Sequence, residues 1–188
     1  MQVKLHLGCG HRFLDGYTHI DINNDVPFLD YCTEIDNLHM FDDNTVDEIY
    51  NCGVIGYYDR EESVKLLNEW HRVLKPGGIL RISVVDFEKQ VELYLKDKNL
   101  DSTGVLGPIY GKWKYIDANG KQLCVYKKTS YDFESLKQVV TSSGFQDFKR
   151  YSWEDFFPVG YDDYSAAYVP HKDKNGTHIM LNVECIKC

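Results

Sequence analysis

The chain has 188 residues, 43% of them hydrophobic and 14% aromatic, which is the length of one domain and enough to bury one substantial core. Its 21 Lys and Arg against 29 Asp and Glu give a net charge of -8 and exclude a protein built around a nucleic-acid backbone, whose affinity comes from clustered cations. No run of about 18 apolar residues occurs, and "MQVKLHLGCG" enters a strand pattern at once, so a membrane span, a membrane partner and a signal peptide are not expected; the cytoplasm is the expected location.

In chain order, strand and helix patterns alternate, the signature of a mainly parallel sheet with helices packed on it. "VKLHLG" is a short β-prone run broken by glycine, "YTHIDIN" a second, and "VDEIYNCGVI" a third anchored by Val46, Ile49 and Val54. "EESVKLLNEWHRVL" repeats apolar residues at helical spacing through Val64, Leu67, Trp70, His71 and Leu74, and "KPGG" stops it. "ILRISVVDF" is apolar enough for a central strand covered on both sides, and "EKQVELYLKDK" reads as a helix with Val91 and Leu95 on one face. Residues 97–128, with "DANG" between two β-prone runs, read as an insertion carrying a hairpin, too short for a core of its own; the expectation is one domain over 1–188. "SYDFESLKQVVTSSGF" is a capped helix ended by Gly144, and "FKRYSW" and "THIMLNVECIK" are the closing strands. Of the six cysteines only Cys185 and Cys188 form a C-x-x-C pair, which is half of a zinc site; reduced thiols on an edge strand are expected.

The stretch "HLGCGHRFLDG" asks for a particular ligand. A strand running into G-x-G lets backbone approach a ligand closely. The dinucleotide fingerprint continues to a third glycine and places an acid about 20 positions on, with the pyrophosphate at a helix N-terminus. Here Phe13 stands at the third glycine and Asp21 arrives after about half that distance, so a helix between the two strands has a turn or two at most. That arrangement suits a ribose without phosphates and disfavours a nicotinamide oxidoreductase.

"LHLGCG", the acid ending "HIDI", "FDDNTVDEIYNCGVI" and "LNEWHRVLKPGGILRISVVDF" occur in an order that resembles class I S-adenosylmethionine-dependent methyltransferases, closely over about residues 3–88 and loosely to the C-terminus. "VDEIY", "RVLKPGG" and the tail "DDYSAAYVPHKDKNGTHIMLNVECIK" resemble more narrowly a subgroup of small methyltransferases associated with surface-glycan synthesis. The resemblance implies a Rossmann-like α/β fold: a mostly parallel seven-stranded sheet with an antiparallel last strand and helices on both faces. It implies S-adenosylmethionine as cofactor and S-adenosylhomocysteine as product. Gly8, Cys9 and Gly10 would pass under the amino acid and ribose portion, and Asp21 would accept from the ribose hydroxyls. Asp36, with Asn37 one step away, would lie near the adenine amino group, and Asn51, Cys52 and Gly53 beside the methionine portion.

The chain departs from the family at Gly56 and Tyr57, where many relatives carry a Glu-His pair, so that base is not carried over. Asp86, following the fifth strand, and His171, in the polar loop "YVPHKDKNG", are the catalytic candidates, each weighed against a bland alternative: a helix N-cap for Asp86 and a surface histidine for His171. His11 follows the glycine loop and could face the pocket. Asp162, Asp163 and His171 include oxygen donors but no placed third ligand, and no metal is assigned. Tyrosines in "GPIYGKWKY" and "VGYDDYSAAY" suit a stacked sugar or a core equally. Any lid is expected from 97–128 and from "YDDYSAAYVPHKDKNG". The expected activity is methyl transfer to a small-molecule or glycan acceptor, at oxygen; a homodimer is the protein partner considered. The alternatives on the same fold are an aminopropyl-type transferase and a cofactor-binding regulatory protein without turnover.

Overall fold

Side-chain alternation along the first strand sorts the molecule into two layers. In β1 (Lys4–Leu7), Leu5 and Leu7 take one face and His6 the other. The structure, a computed structural model, describes residues 2–188. β2 (Thr18–Asp21) and the two-residue β3 (Tyr31–Cys32) add in parallel on one side of β1, and β4 (Val46–Cys52) and β5 (Leu74–Val85) on the other. α1 (Arg60–Val73) joins β4 to β5, and α2 (Phe87–Asp97) follows β5. The 97–128 segment folds as the short α3 (Leu106–Tyr110) and the antiparallel hairpin β6 (Lys112–Ile116) and β7 (Gln122–Tyr126). α4 (Phe133–Ser142), β8 (Phe145–Arg150), α5 (Trp153–Phe156), the small pair β9 (Tyr168–Val169) and β10 (Thr177–His178), and β11 (Met180–Lys187) complete the chain. The seven-stranded sheet runs β3-β2-β1-β4-β5-β11-β8, with β11 antiparallel to both neighbours.

The register fixes what each face holds. Leu5, Ile49 and Leu80 align across β1, β4 and β5, and pack with Leu67 and Trp70 of α1 and Leu136 and Val140 of α4 in the main core. Burying such side chains stabilises by about 1.5–3 kcal/mol each. The opposite face aligns His19, His6, Tyr50, Arg81 and Glu184. A polar row of this kind needs partners: the Arg81 guanidinium sits between Glu48 (2.6 Å) and Glu184 (3.0 Å), over the ring of Phe156 in α5. α2 joins a second cluster here, Leu93 packing with Val85, Ile179 and Met180.

α1 begins where Asp59 accepts from the N–H groups of Glu61 and Glu62 while Glu62 accepts from the Asp59 N–H, a capping box worth about 1 kcal/mol. It ends at Leu74, which is already extended. "KPGG" therefore lies inside β5, where the pairing with β4 shifts register between Val46 and Glu48.

Several expectations are corrected. Val64 is 39% exposed because α1 buries Ser63, Leu66, Leu67, Trp70 and Val73 instead. Val91 and Leu95 form with Phe87 and Tyr94 a solvent-facing stripe, since α2 meets the sheet through Gln90 and Leu93. The strand carrying Cys185 is not an edge strand: β11 inserts between β5 and β8, so Cys185 is buried, while Cys188 is exposed; both are free thiols. β3, at two residues, and the β9–β10 pair are too short to show a periodicity in the sequence.

Candidate active site

β1 ends in Gly8, whose φ of +67° and whose 2.4 Å approach to the Val54 side chain for any added Cβ exclude other residues. Gly8 donates its N–H to the Ile20 carbonyl (2.8 Å), and Gly10, at φ +51°, donates to Asp21 Oδ2 (2.8 Å). Asp21 Oδ1 accepts from the Asn23 N–H (2.8 Å). The carboxylate ending β2 thus ties the glycine loop to its own turn, and each oxygen keeps a lone pair for a ligand. Residues 8–17, between β1 and β2, form turns without a helix. Burial raises the Asp21 pKa, against the lowering effect of the Gly10 and Asn23 N–H groups.

A cavity of about 920 Å³ opens at these carboxyl ends of the strands, where open α/β sheets hold ligands. Gly8, Cys9, Gly10, Asp21, Asp36, Cys52 and Gly53 all line it, as does His11. Asn37 does not; its side chain is exposed beside His39. Asn51 lies beneath the site, its Nδ2 donating to the Leu7 carbonyl (2.8 Å), because the β4 register turns it to the core face. The thiols are not anionic: Cys52 is pushed well above its ordinary pKa by burial and then by Asp163, and Cys9 upward by burial and then by Asp21.

The two catalytic candidates are placed elsewhere. Asp86 is buried as the N-cap of α2, accepting from the Glu88 N–H (3.1 Å), with Arg150 at 3.5 Å, and does not line the cavity. His171 is exposed in the loop joining β9 to β10, also outside it. Nor do the acids near it converge: Asp162 pairs outward with Lys172 (3.4 Å), while Asp163 turns inward.

Part of the wall comes from the two segments expected to supply a lid, 97–128 and the "YDDYSAAYVPHKDKNG" loop. The hairpin folds over the cavity and presents Trp113, Tyr115 and Val125 to it. It is latched to the β2 end, Ile116 donating to Asn23 Oδ1 (3.0 Å) and accepting from the Asn24 N–H (2.7 Å). Glu62 lines the cavity and pairs with Lys128 (2.6 Å), joining the α1 cap to the end of the hairpin. The i, i+2 alternation of Trp113 and Tyr115 was the available signal. Asp163 and Tyr164 line the cavity from the "VGYDDYSAAY" stretch, and His6, Arg12, Glu34 and Tyr58 also line it with no motif to mark them.

Residues 16–82 match a family model described as a methyltransferase domain. A solved structure from Thermotoga maritima, an S-adenosylmethionine-dependent methyltransferase described as a possible histamine N-methyltransferase, superposes with a TM-score of 0.58 at 16% identity, covering 100% of this chain and 83% of that one. An S-adenosylmethionine-dependent methyltransferase from Methanosarcina mazei gives 0.58 at 18% identity, covering 98% and 91%. The fold is that of an S-adenosylmethionine-dependent methyltransferase. A Burkholderia thailandensis 1,6-didemethyltoxoflavin-N1-methyltransferase, solved with that compound and S-adenosylhomocysteine, shares the methyltransferase fold at a TM-score of 0.53 and 14% identity, over 98% of this chain and 70% of that one. No curated protein matches this chain in sequence. The residues present fit such a cofactor: Gly10 leaves open space where a Cβ would stand, Asp21 offers two acceptors to a diol, and His6 keeps a buried ring nitrogen, Nδ1, without a partner among the described residues.

Proposed function

We propose that the protein is an S-adenosylmethionine-dependent methyltransferase that methylates a small-molecule or glycan acceptor at a hydroxyl oxygen. The observation that carries this reading is Asp21, bonded to Gly10 of the glycine loop on the wall of a roughly 920 Å³ cavity, with no helix between β1 and β2 to receive a pyrophosphate. Bound here, S-adenosylmethionine would supply an electrophilic methyl on a sulfonium. Gly8, Gly10, Asp21, Asp36, Cys52 and Gly53 would hold it. The hairpin covers one side of the site, and Tyr57, Trp113 and Tyr164 offer rings for an acceptor to stack on. An exposed carboxylate at the rim, Glu34, can accept from acceptor hydroxyls. Neither Asp86 nor His171 lines the cavity, so the rate enhancement rests on alignment of acceptor and methyl, which by itself supplies several kcal/mol.

The test is S-adenosylhomocysteine production over a panel of sugars, polyols, phenols and amines. Turnover with hydroxyl acceptors supports the reading; turnover confined to amines removes the oxygen assignment. Aminopropyl transfer from the decarboxylated cofactor would replace the reaction class.

A further inference from the structure

One face of α2 is apolar and exposed, and it carries opposite charges at its two ends. Phe87, Val91, Tyr94 and Leu95 are 42%, 38%, 41% and 53% exposed, because the helix meets the sheet through Gln90 and Leu93. Spacings of three and four residues gather them into one stripe, and a contiguous apolar stripe at the surface marks a contact. At the N-terminal end of α2 the stripe runs into a groove of about 460 Å³ against the start of α4, lined by Phe87, Val91 and Phe133 and by Glu88, Glu92, Asp132 and Glu134. Glu92 is held within the helix by Lys89 (2.6 Å), whereas Glu88, Asp132 and Glu134 form no ion pair with a described residue. Arg150, over the Phe133 ring, lies 3.5 Å from Asp86. At the other end Lys96 and Lys98 are exposed beside Leu95 and likewise form no ion pair with a described residue. None of these residues lines the large cavity.

We propose that α2 is the seam of a homodimer in which two copies pair antiparallel about a two-fold axis, Leu95 and Lys96 of each entering the acidic groove of the other. A two-fold contact uses the same patch on both copies, so the patch must complement itself. Glu88 and Lys96 stand two turns apart on one flank of α2. Reversing the second helix sets Glu88 of each copy against Lys96 of the other, and Asp132 and Glu134 add negative charge where the ammonium groups arrive. A parallel pairing would set Glu88 against Glu88, and like charges face to face are destabilising. A second copy is favoured over a foreign basic segment because this chain already carries, on the same helix, the apolar side chain and the cations that the groove lacks. One helix per copy makes a small seam, so the dimer should exchange reversibly with monomer.

Sedimentation velocity of the full chain over a concentration series should show that exchange. Leu95→Glu, at an exposed position, should abolish the dimer while far-ultraviolet dichroism stays unchanged. Two charge variants decide the orientation. Glu88→Lys with Glu134→Lys puts cations at both ends of the seam, and Lys96→Glu with Lys98→Glu puts acids at both. Each alone should weaken self-association by roughly ten-fold or more, and mixing the two should restore a dimer holding one copy of each. Monomeric wild type at every concentration, or a dimer indifferent to Leu95→Glu, would overturn the proposal. Charge variants that dimerise as wild type does, or a mixture that stays monomeric, would overturn the antiparallel pairing and with it the occupant of the groove.

Discussion

Asp21 closes the glycine loop and faces the cavity with the same carboxylate, so its removal acts twice. Asp21→Ala should weaken S-adenosylhomocysteine binding by about 1.5–3 kcal/mol, the range for hydrogen bonds to a charged group, as read by calorimetry. Because burial raises its pKa above the ordinary 3.8, protonation sets in at a higher pH than for a free carboxylate. Adenosyl affinity should therefore fall on acidification through that raised value, and Asp21→Asn should flatten the dependence. The sign for stability is opposite to that of a salt-bridged Asp: the folded state holds this proton more tightly, so ionisation works against the fold, and a ligand donating to the carboxylate offsets it. At Gly8 an added methyl meets Val54 at 2.4 Å in a left-handed backbone. Gly8→Ala should cost about 1–3 kcal/mol of stability in urea unfolding and remove adenosyl binding.

Among the elements, the hairpin controls access. Asn23→Ala removes the acceptor for the Ile116 N–H and so loosens the latch at the β2 end. S-adenosylhomocysteine should dissociate about 3–10-fold faster, for a lost bond of roughly 1 kcal/mol, with far-ultraviolet dichroism unchanged; an unaltered off-rate in stopped flow would mean that the hairpin does not gate the cofactor. What was legible in the sequence follows from the same physics. The glycine loop, Asp21 and the hairpin turn are local chemistry, written in consecutive residues, and the structure brings Gly8, Cys9, Gly10 and Asp21 onto one wall. Asp36, from the turn after β3, and Cys52, from the end of β4, reach that wall, which the resemblance alone foresaw. Asn51 went to the core side because a one-residue step along β4 reverses the face, and Asp86 because capping α2 consumes its carboxylate. Arg12 and Glu62 reach the cavity only through tertiary packing, so no window of sequence announces them, while Asp163 comes from a loop expected to supply a lid.

At the scale of the molecule, two histidines, His6 and His19, line the sheet's second face, and a third, His71, sits on α1 against Phe145. Burial lowers His6 to about 3 and also lowers His19 and His71. The unfolded chain takes the His6 proton near pH 6.5 and the folded chain only near 3, so this stability is present above 6.5 and lost as pH falls from there toward 3, and His19 and His71 act in the same direction. His6 alone contributes a slope of up to about 1.4 kcal/mol per pH unit, and His6→Gln should shallow the acid limb of urea-unfolding midpoints measured from pH 7 to 4.

On the function proposed above, Asp21 and the glycine loop hold a phosphate-free adenosyl cofactor. Calorimetric titration of S-adenosylhomocysteine into wild type and Asp21→Ala, with NADH as control, tests it most directly. Wild type should bind saturably, the variant should lose about 1.5–3 kcal/mol, and NADH should give no heat. Folded wild type that takes up NADH, or binds no adenosyl ligand, would contradict it.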